Sequence, residues 1–217
     1  MKRLYSVLYF EEENNEGTAI RSNNIEKVEF HDVSFRYRKD VPVLDHVNIQ
    51  LRKGNIVGFI GGSGCGKSSL VKMLLRLYAP YKGTISIDGE KIQDISINSL
   101  RNRIAFVAQD SLFFRGSILE NLKMGNVVDN TKLIEYSKLL DLYDEIVRLP
   151  KKWDTELNAG TSNLSGGQKK RLDVLRALLK ESVIIIFDES TASIDIERRK
   201  RLFEILDKIK QEKIIIF

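Results

Sequence analysis

The amino-acid sequence predicts an α/β protein: a mostly parallel sheet built around a phosphate-binding loop, opened by an antiparallel β subdomain and interrupted by an inserted helical subdomain. Three observations carry this. The first is Gly61-Gly62-Ser63-Gly64-Cys65-Gly66-Lys67-Ser68-Ser69, set between the apolar run Ile56–Ile60 and the helix-patterned Leu70–Leu75. Gly-x-x-x-x-Gly-Lys-Ser between a strand and a helix is the pattern of a phosphate-cradling loop. The second is Val183-Ile184-Ile185-Ile186-Phe187, a continuous apolar run of the kind that forms a parallel strand buried on both faces. The third is order: period-two segments come first, helical periodicity fills the middle, and apolar runs return at the end.

Residues 1–24 read as a linker. Leu4, Val7 and Leu8 share one face if helical, but Glu11 to Gly17 is polar and without periodicity. From Ile25 the pattern changes, and Val28-Glu29-Phe30, Val33–Tyr37 and Val47–Leu51 alternate as half-buried strands do. Lys53-Gly54 then turns into the strand before the glycine-rich loop. The helix after that loop is expected to stop before Pro80, because proline disfavours a helical predecessor. Thr84–Ile87 followed by Asp88-Gly89 predicts a strand and a tight hairpin turn, and Ile104–Val107 a short buried strand.

Ser117-Ile118-Leu119-Glu120 has the spacing of a capping box and predicts a helix start. One helix is expected from Thr131 to about Leu149, ending at Pro150. Ser165 and Gln168 form a second possible capping box, heading a helix to about Lys180. Asp195 to Lys210 predicts a charged amphipathic helix with Glu197/Arg201 and Glu204/Lys208 at i,i+4. Lys213–Phe217 begins another apolar strand.

A chain of 217 residues makes one large domain or two small ones and can bury a substantial core. No apolar run approaches the roughly eighteen residues that cross a bilayer. Met1–Leu8 superficially resembles an export signal, but Glu11-Glu12-Glu13 stands where a cleavage site would be, so export is not expected. A single cysteine, Cys65, excludes a disulfide framework and a multi-cysteine zinc site. The net charge of +5, from 35 basic against 30 acidic residues, admits a polyphosphate, an anionic lipid or a nucleic acid without choosing among them. Basic residues are not interleaved with aromatics, so nucleic acid is not an expected partner. His31 and His46 are expected to serve surface or packing roles.

The chemistry of the loop accounts for its residue types. Glycines let successive N–H groups turn inward toward phosphate oxygens, and the following helix adds its free N–H groups and positive dipole end. Lys67 is placed to reach the β- and γ-phosphates and Ser68 to put a hydroxyl on Mg²⁺. Asp188-Glu189 closes the Val183–Phe187 run, at the sheet edge where α/β ligands bind. There Asp188 would hold the Mg²⁺ of a nucleotide, and a second carboxylate, Glu189, could polarise an attacking water. Leu164-Ser165-Gly166-Gly167-Gln168 is a second anion-seeking helix start, about a hundred residues downstream.

In this combination the chain resembles the nucleotide-binding domain of ATP-binding cassette (ABC) transporters, a P-loop NTPase fold, over residues 25–217. The match includes Gln109 as the Q-loop, Leu164–Gln168 as the signature, Val183–Glu189 as the Walker B strand, Ser193-Ile194-Asp195 as the D-loop, and Tyr37 where the family stacks an aromatic ring on adenine. The resemblance implies ATP and Mg²⁺ as cofactors. It implies Glu189, Lys67 and Gln109 in catalysis, and Ser68, Gln109 and Asp188 at the metal. Nucleotide contacts would come from Tyr37, Gly61, Gly62, Ser63, Gly64, Cys65, Gly66, Lys67, Ser68, Ser69 and Gln109, with Ser165, Gly166, Gly167 and Gln168 contributed across a head-to-tail dimer.

Gln109 to Leu122 is similar to the Q-loop region of exporter-type cassettes. The expected organisation is therefore a linker at 1–24 following a membrane-spanning domain of the same parent chain. A helical subdomain at about 111–180 and a second nucleotide-binding domain as partner complete it, at the cytoplasmic face of a membrane. Phe113 and Phe114 are candidates for contact with the membrane domain. The family's switch histidine is expected just beyond Phe217. Asn158-Ala159-Gly160-Thr161 stands where exporters usually carry a glutamate, and Asp173 occupies a usually small apolar position. Two other functions remain open on this evidence: a soluble ABC ATPase acting on nucleic acid or the ribosome, and a cassette that clamps ATP without hydrolysing it.

Overall fold

The structure, a computed structural model, describes residues 13, 15–20, 24–39, 41–157, 164–188 and 196–217. Two four-stranded sheets organise it. The first is antiparallel and opens with β1 (Lys27–Arg38) and β2 (Val41–Arg52). β1 joins the two short strands predicted at 28–30 and 33–37 into one, kinked where Asp32 takes φ 52° and the register with β2 shifts. Such a bulge keeps pairing continuous while re-aiming side chains. β3 (Ile56–Val57) leads into the glycine-rich loop and α1 (Lys67–Leu74). It is shorter than the predicted Ile56–Ile60 strand, although the Phe59 amide still donates to Phe217 O at 2.7 Å.

α1 stops five residues before Pro80 would require. Arg76 takes the left-handed φ of 54°, and the amides of Arg76 and Leu77 close back on Met73 O and Lys72 O at 2.9 Å each. This is a Schellman cap with arginine in the place glycine usually fills. β4 (Lys82–Ile87) and β5 (Glu90–Lys91) form the expected hairpin around Asp88-Gly89, both with positive φ. They complete the antiparallel sheet in the order β2-β1-β4-β5. The described part of the opening segment lies against the next stretch. Thr18 bridges Ile95, and Arg101 clasps the Glu13 carboxylate at 2.5 and 2.7 Å.

After α2 (Ile97–Asn102) comes β6 (Ile104–Val107), then β7 (Gly116–Ser117) and α3 (Ile118–Lys123). α3 begins with the predicted capping box of Ser117 and Glu120. The single helix expected from Thr131 to Leu149 is two, α4 (Asn130–Leu139) and α5 (Tyr143–Val147). Asp141 at φ 53° makes the break, again with Schellman bonds, from Leu142 N to Ser137 O at 2.8 Å and Asp141 N to Lys138 O at 3.0 Å. β8 (Glu156–Leu157) pairs with β7, and α6 (Gly166–Leu179) starts at Ser165 as predicted.

β9 (Ile184–Phe187), α7 (Ile196–Ile209) and β10 (Ile214–Ile216) finish the chain. The second sheet runs β3-β10-β9-β6 and is parallel throughout. Its strands divide two cores by alternation. Ile184, Ile186, Ile214 and Ile216 face the antiparallel sheet and α1, whereas Ile185, Phe187, Ile215, Ala105 and Val107 face α3 to α7. Of the charge pairs expected on α7, Arg201 instead meets Asp141 at the helix break. No described helix is long and apolar enough to cross a membrane.

Candidate functional site

The parallel sheet brings Gln109, Asp188 and the loop at 61–69 to one edge. β6 and β9 are in register at Val107 and Phe187, and the Asp188 amide donates to Val107 O at 3.0 Å. Asp188 therefore emerges beside Ala108, one residue before Gln109, and the glycine-rich loop rises from β3 on the other side of β10. Gly66 is the N-cap of α1 at φ 97°, and no side chain caps the free N–H groups there. No acidic residue lies in the first turn, so the helix end keeps its positive potential.

Within the loop, Lys67 Nζ donates to the carbonyls of Gly61 at 2.8 Å and Gly62 at 3.0 Å, and stands 3.7 Å from Cys65 Sγ. Its ammonium is thus held over the loop it would serve. Ser68 Oγ donates to Asp188 Oδ1 at 3.0 Å. A hydroxyl and a carboxylate in contact are the hard oxygen donors that suit Mg²⁺. Among the described residues no group of three or more His, Cys, Asp or Glu could hold a metal by itself.

Tyr37 lies one residue before the end of β1, beside α1. Its hydroxyl lies 3.0 Å from Ser69 Oγ, its ring meets Phe35 and Tyr78 edge-on, and 48% of the residue remains exposed. Gly62, Ser63, Gly64 and Cys65 are exposed along the loop.

Ser165 caps α6. Gln168 N donates to Ser165 Oγ at 3.2 Å, and Ser165 N donates to Gln168 Oε1 at 2.8 Å. Gly166 and Gly167 have open space where a Cβ would stand. Among the described residues no hydrogen bond or ion pair joins Ser165–Gln168 to the loop at 61–69. Their partner is α5 instead: Gln168 Nε2 donates to Glu145 Oε2 at 2.9 Å, and Arg171 Nη2 reaches both Glu145 oxygens at 3.0 Å. Buried Arg171 also donates to Leu140 O at 3.2 Å and Asp141 O at 2.6 Å, using the carbonyls that the break between α4 and α5 frees. Sequence reasoning missed Glu145 and Arg171; no motif marks a pairing 26 residues apart.

Phe114 is exposed, and Phe113 is half-buried with the Arg176 guanidinium 5.2 Å from its ring centroid. Buried Asn121 fixes Phe114 by its amide at 2.7 Å and its carbonyl at 3.0 Å. Asp173, puzzling in the sequence, is ion-paired with Arg176 one turn on. Glu189, Ser193-Ile194-Asp195 and Asn158–Thr161 lie outside the described residues.

A phosphate-binding loop on a parallel sheet, a serine–aspartate pair at its edge and a glycine-headed second helix define a P-loop nucleotide-binding domain. The model of the ABC transporter family matches residues 44–192, and the chain belongs to that family. It is 35% identical over 209 residues to an ATP-dependent lipid A-core flippase of Saccharophagus degradans, covering 96% of this chain and 36% of that protein. It is 39% identical over 220 residues to the lactococcin-G-processing and transport ATP-binding protein LagD of Lactococcus lactis, covering 100% of this chain and 31% of that one. Among solved structures, a bacterial Atm1-family ABC exporter with ATP bound superposes with a TM-score of 0.86 at 29% identity, over 99% of this chain and 38% of the exporter. The chain therefore spans about a third of the length of these proteins.

Proposed function

We propose that this chain is the ATP-hydrolysing motor domain of an exporter, acting in a head-to-tail pair and coupled to a membrane-spanning domain of the same parent chain. The observation that supports this best is the 3.0 Å contact of Ser68 with Asp188, beside a lysine resting on the carbonyls of its own loop. On this reading the domain spans 25–217, with its helical subdomain at about 111–180 and a linker at 1–24.

Arriving ATP offers Lys67 charged β- and γ-phosphate oxygens in place of the Gly61 and Gly62 carbonyls, a stronger, charge-assisted bond. The N–H groups of 61–69 cradle the phosphates, and Tyr37 stacks on adenine. Ser68, Asp188 and Gln109 would hold Mg²⁺, which when bound neutralises charge on the β- and γ-oxygens. Glu189 takes the proton of the water that attacks the γ-phosphorus. The bond from that phosphorus to the bridging oxygen breaks, and ADP and phosphate leave. Ser165, Gly166, Gly167 and Gln168 serve the γ-phosphate held by a second copy, consistent with their lack of bonds to this chain's own loop.

Exposed Leu112, Phe114 and Met124, the last of which lines a cavity of about 390 Å³ between β6, α3 and α6, support docking of the membrane-spanning domain there, at the cytoplasmic face. The test separates binding from chemistry. In the full-length protein Lys67→Ala should abolish Mg-ATP binding by calorimetry, whereas Glu189→Gln should keep ATP bound while turnover falls about 10²-fold or more, for loss of a positioned base. ATP held at unchanged affinity by Lys67→Ala, or wild-type turnover by Glu189→Gln, would overturn the assignment.

A further inference from the structure

One face of α6 carries three charged side chains that the proposed chemistry does not use. Lys170, Asp173 and Arg176 follow one another at i, i+3 and i+6, so they stack along one side of the helix. Lys170 is 4% exposed and Asp173 1%. Charges that deep persist only when paired and hydrogen-bonded. Asp173 pairs with Arg176 Nη2, but the remaining bonds leave the helix, and all of them go to one short segment.

That segment is the turn after β6. Lys170 Nζ donates to Ala108 O and, at 3.0 Å, to Gln109 O. Arg176 Nη1 donates to Leu112 O at 2.9 Å, and its guanidinium covers the Phe113 ring. Ser111 sits close enough to Asp173 to favour the charged carboxyl, though neither its hydroxyl nor Asp173 Oδ2 makes a hydrogen bond of regular geometry. The segment's carbonyls point at cations, and a carboxylate between the cations balances them. Burial pushes the Lys170 ammonium down from its usual range, against the raising pull of Asp173. Burial likewise pushes Asp173 up, opposed by Arg176.

We propose that Lys170, Asp173 and Arg176 are positioning residues for Gln109: they tie residues 108–112 to the helix that begins at Ser165, so that the exposed Gln109 side chain moves as that helix moves. The proposal rests on the reading of Gln109 given above. It goes further in making the link a buried charge cluster rather than backbone continuity. The loop at 61–69, which supplies most of the proposed nucleotide contacts, takes no part in it, so nucleotide affinity should change much less than turnover.

Hydrogen–deuterium exchange and steady-state kinetics on the full chain test it together. In Lys170→Met, which keeps the length of the side chain but none of its donors, amides at 109–114, of which that of Phe114 donates to Asn121 Oδ1 at 2.7 Å, should exchange faster, that of Phe114 by about tenfold or more, as expected for losing the charge-assisted bonds that hold the segment. Amides of α1 should be unchanged. Turnover should fall in kcat, with KM for ATP moving by less than about twofold. Lys170→Arg, which restores donors, should recover both protection and kcat. If Lys170→Met fails to fold, Asp173→Asn withdraws the balancing charge at constant volume and should loosen the same amides. Wild-type exchange of the Phe114 amide in a folded variant would overturn the proposal, as would equal loss in Lys170→Met and Lys170→Arg. Gln109→Ala should lower kcat without altering exchange. If it leaves kcat intact, the role of Gln109 fails, while the exchange result still decides whether the cluster holds the segment.

Discussion

Gly66 shows how closely one backbone position governs the site. Its φ of 97° lies where a Cβ is disfavoured, and a Cβ built there would stand 2.6 Å from Leu44 Cδ2 and 3.2 Å from Val43 O. Left-handed backbone alone costs a non-glycine residue about 1–2 kcal/mol, and the Leu44 contact adds to it. Gly66→Ala should therefore lower stability by about 1–3 kcal/mol in urea denaturation and weaken ATP binding, because relief requires the loop to shift. Gly62→Ala meets nothing within 4 Å and should change stability by no more than about 0.5 kcal/mol. Equal midpoints for the two variants would show that the loop relaxes around Leu44 freely. Gly66 was legible in the sequence because a motif demanded it. Asp173 was not: its partner at i+3 was visible, but its burial was not, and burial turns a surface pair into an internal clamp.

At the scale of elements, periodicity served well where a segment's neighbours were apolar and poorly where a buried charge decided its end. Val183–Phe187 was predicted as a strand covered on both faces, and β9 is central in the sheet with Ile184 and Ile185 in opposite cores. Ile185→Ala should cost about 2–5 kcal/mol in urea denaturation, the range for large-to-small changes in a packed core. A loss below about 1 kcal/mol would mean that the core between β9 and the helices is loosely packed. The helix expected from Thr131 to Leu149 failed for a different reason. Its break has no glycine or proline to announce it, only Asp141 in the left-handed region, with Arg171 from a distant helix bonding the exposed carbonyls. Arg76 ends α1 in the same unannounced way.

At the scale of the whole molecule, two phosphate-seeking helix starts lie in one chain, and among the described residues no hydrogen bond or ion pair joins them. One serves its own loop; the other is capped, exposed at its glycines and braced from behind by Glu145 and Arg171. On the proposed function a second copy completes each site, so Glu189→Gln protein should dimerise on adding ATP and much less on adding ADP, which lacks the bridging phosphate. Ser165→Arg should prevent that dimer by bulk and charge while leaving ATP binding to the monomer largely intact. Sedimentation of the full-length Glu189→Gln protein checks this. A monomer at saturating ATP and high protein concentration would refute the two-chain site.

The residues alone settled the fold class, the succession of β-rich opening, helical middle and returning parallel core, the loop at 61–69 and both capping boxes. Each is written in local spacing: glycine where the backbone must turn, period two or 3.6 where one face is buried, serine three residues before glutamate or glutamine. Only the tertiary structure decided which strands are neighbours, and so which distant residues meet. Register between β6 and β9 puts Asp188 at the sheet edge beside the turn that carries Gln109, the fold of 61–69 onto that edge puts Ser68 on Asp188, and packing of α6 against that turn puts Lys170 on Gln109 O. Such meetings follow from the summed burial of two cores, a property of the whole chain that no local window contains.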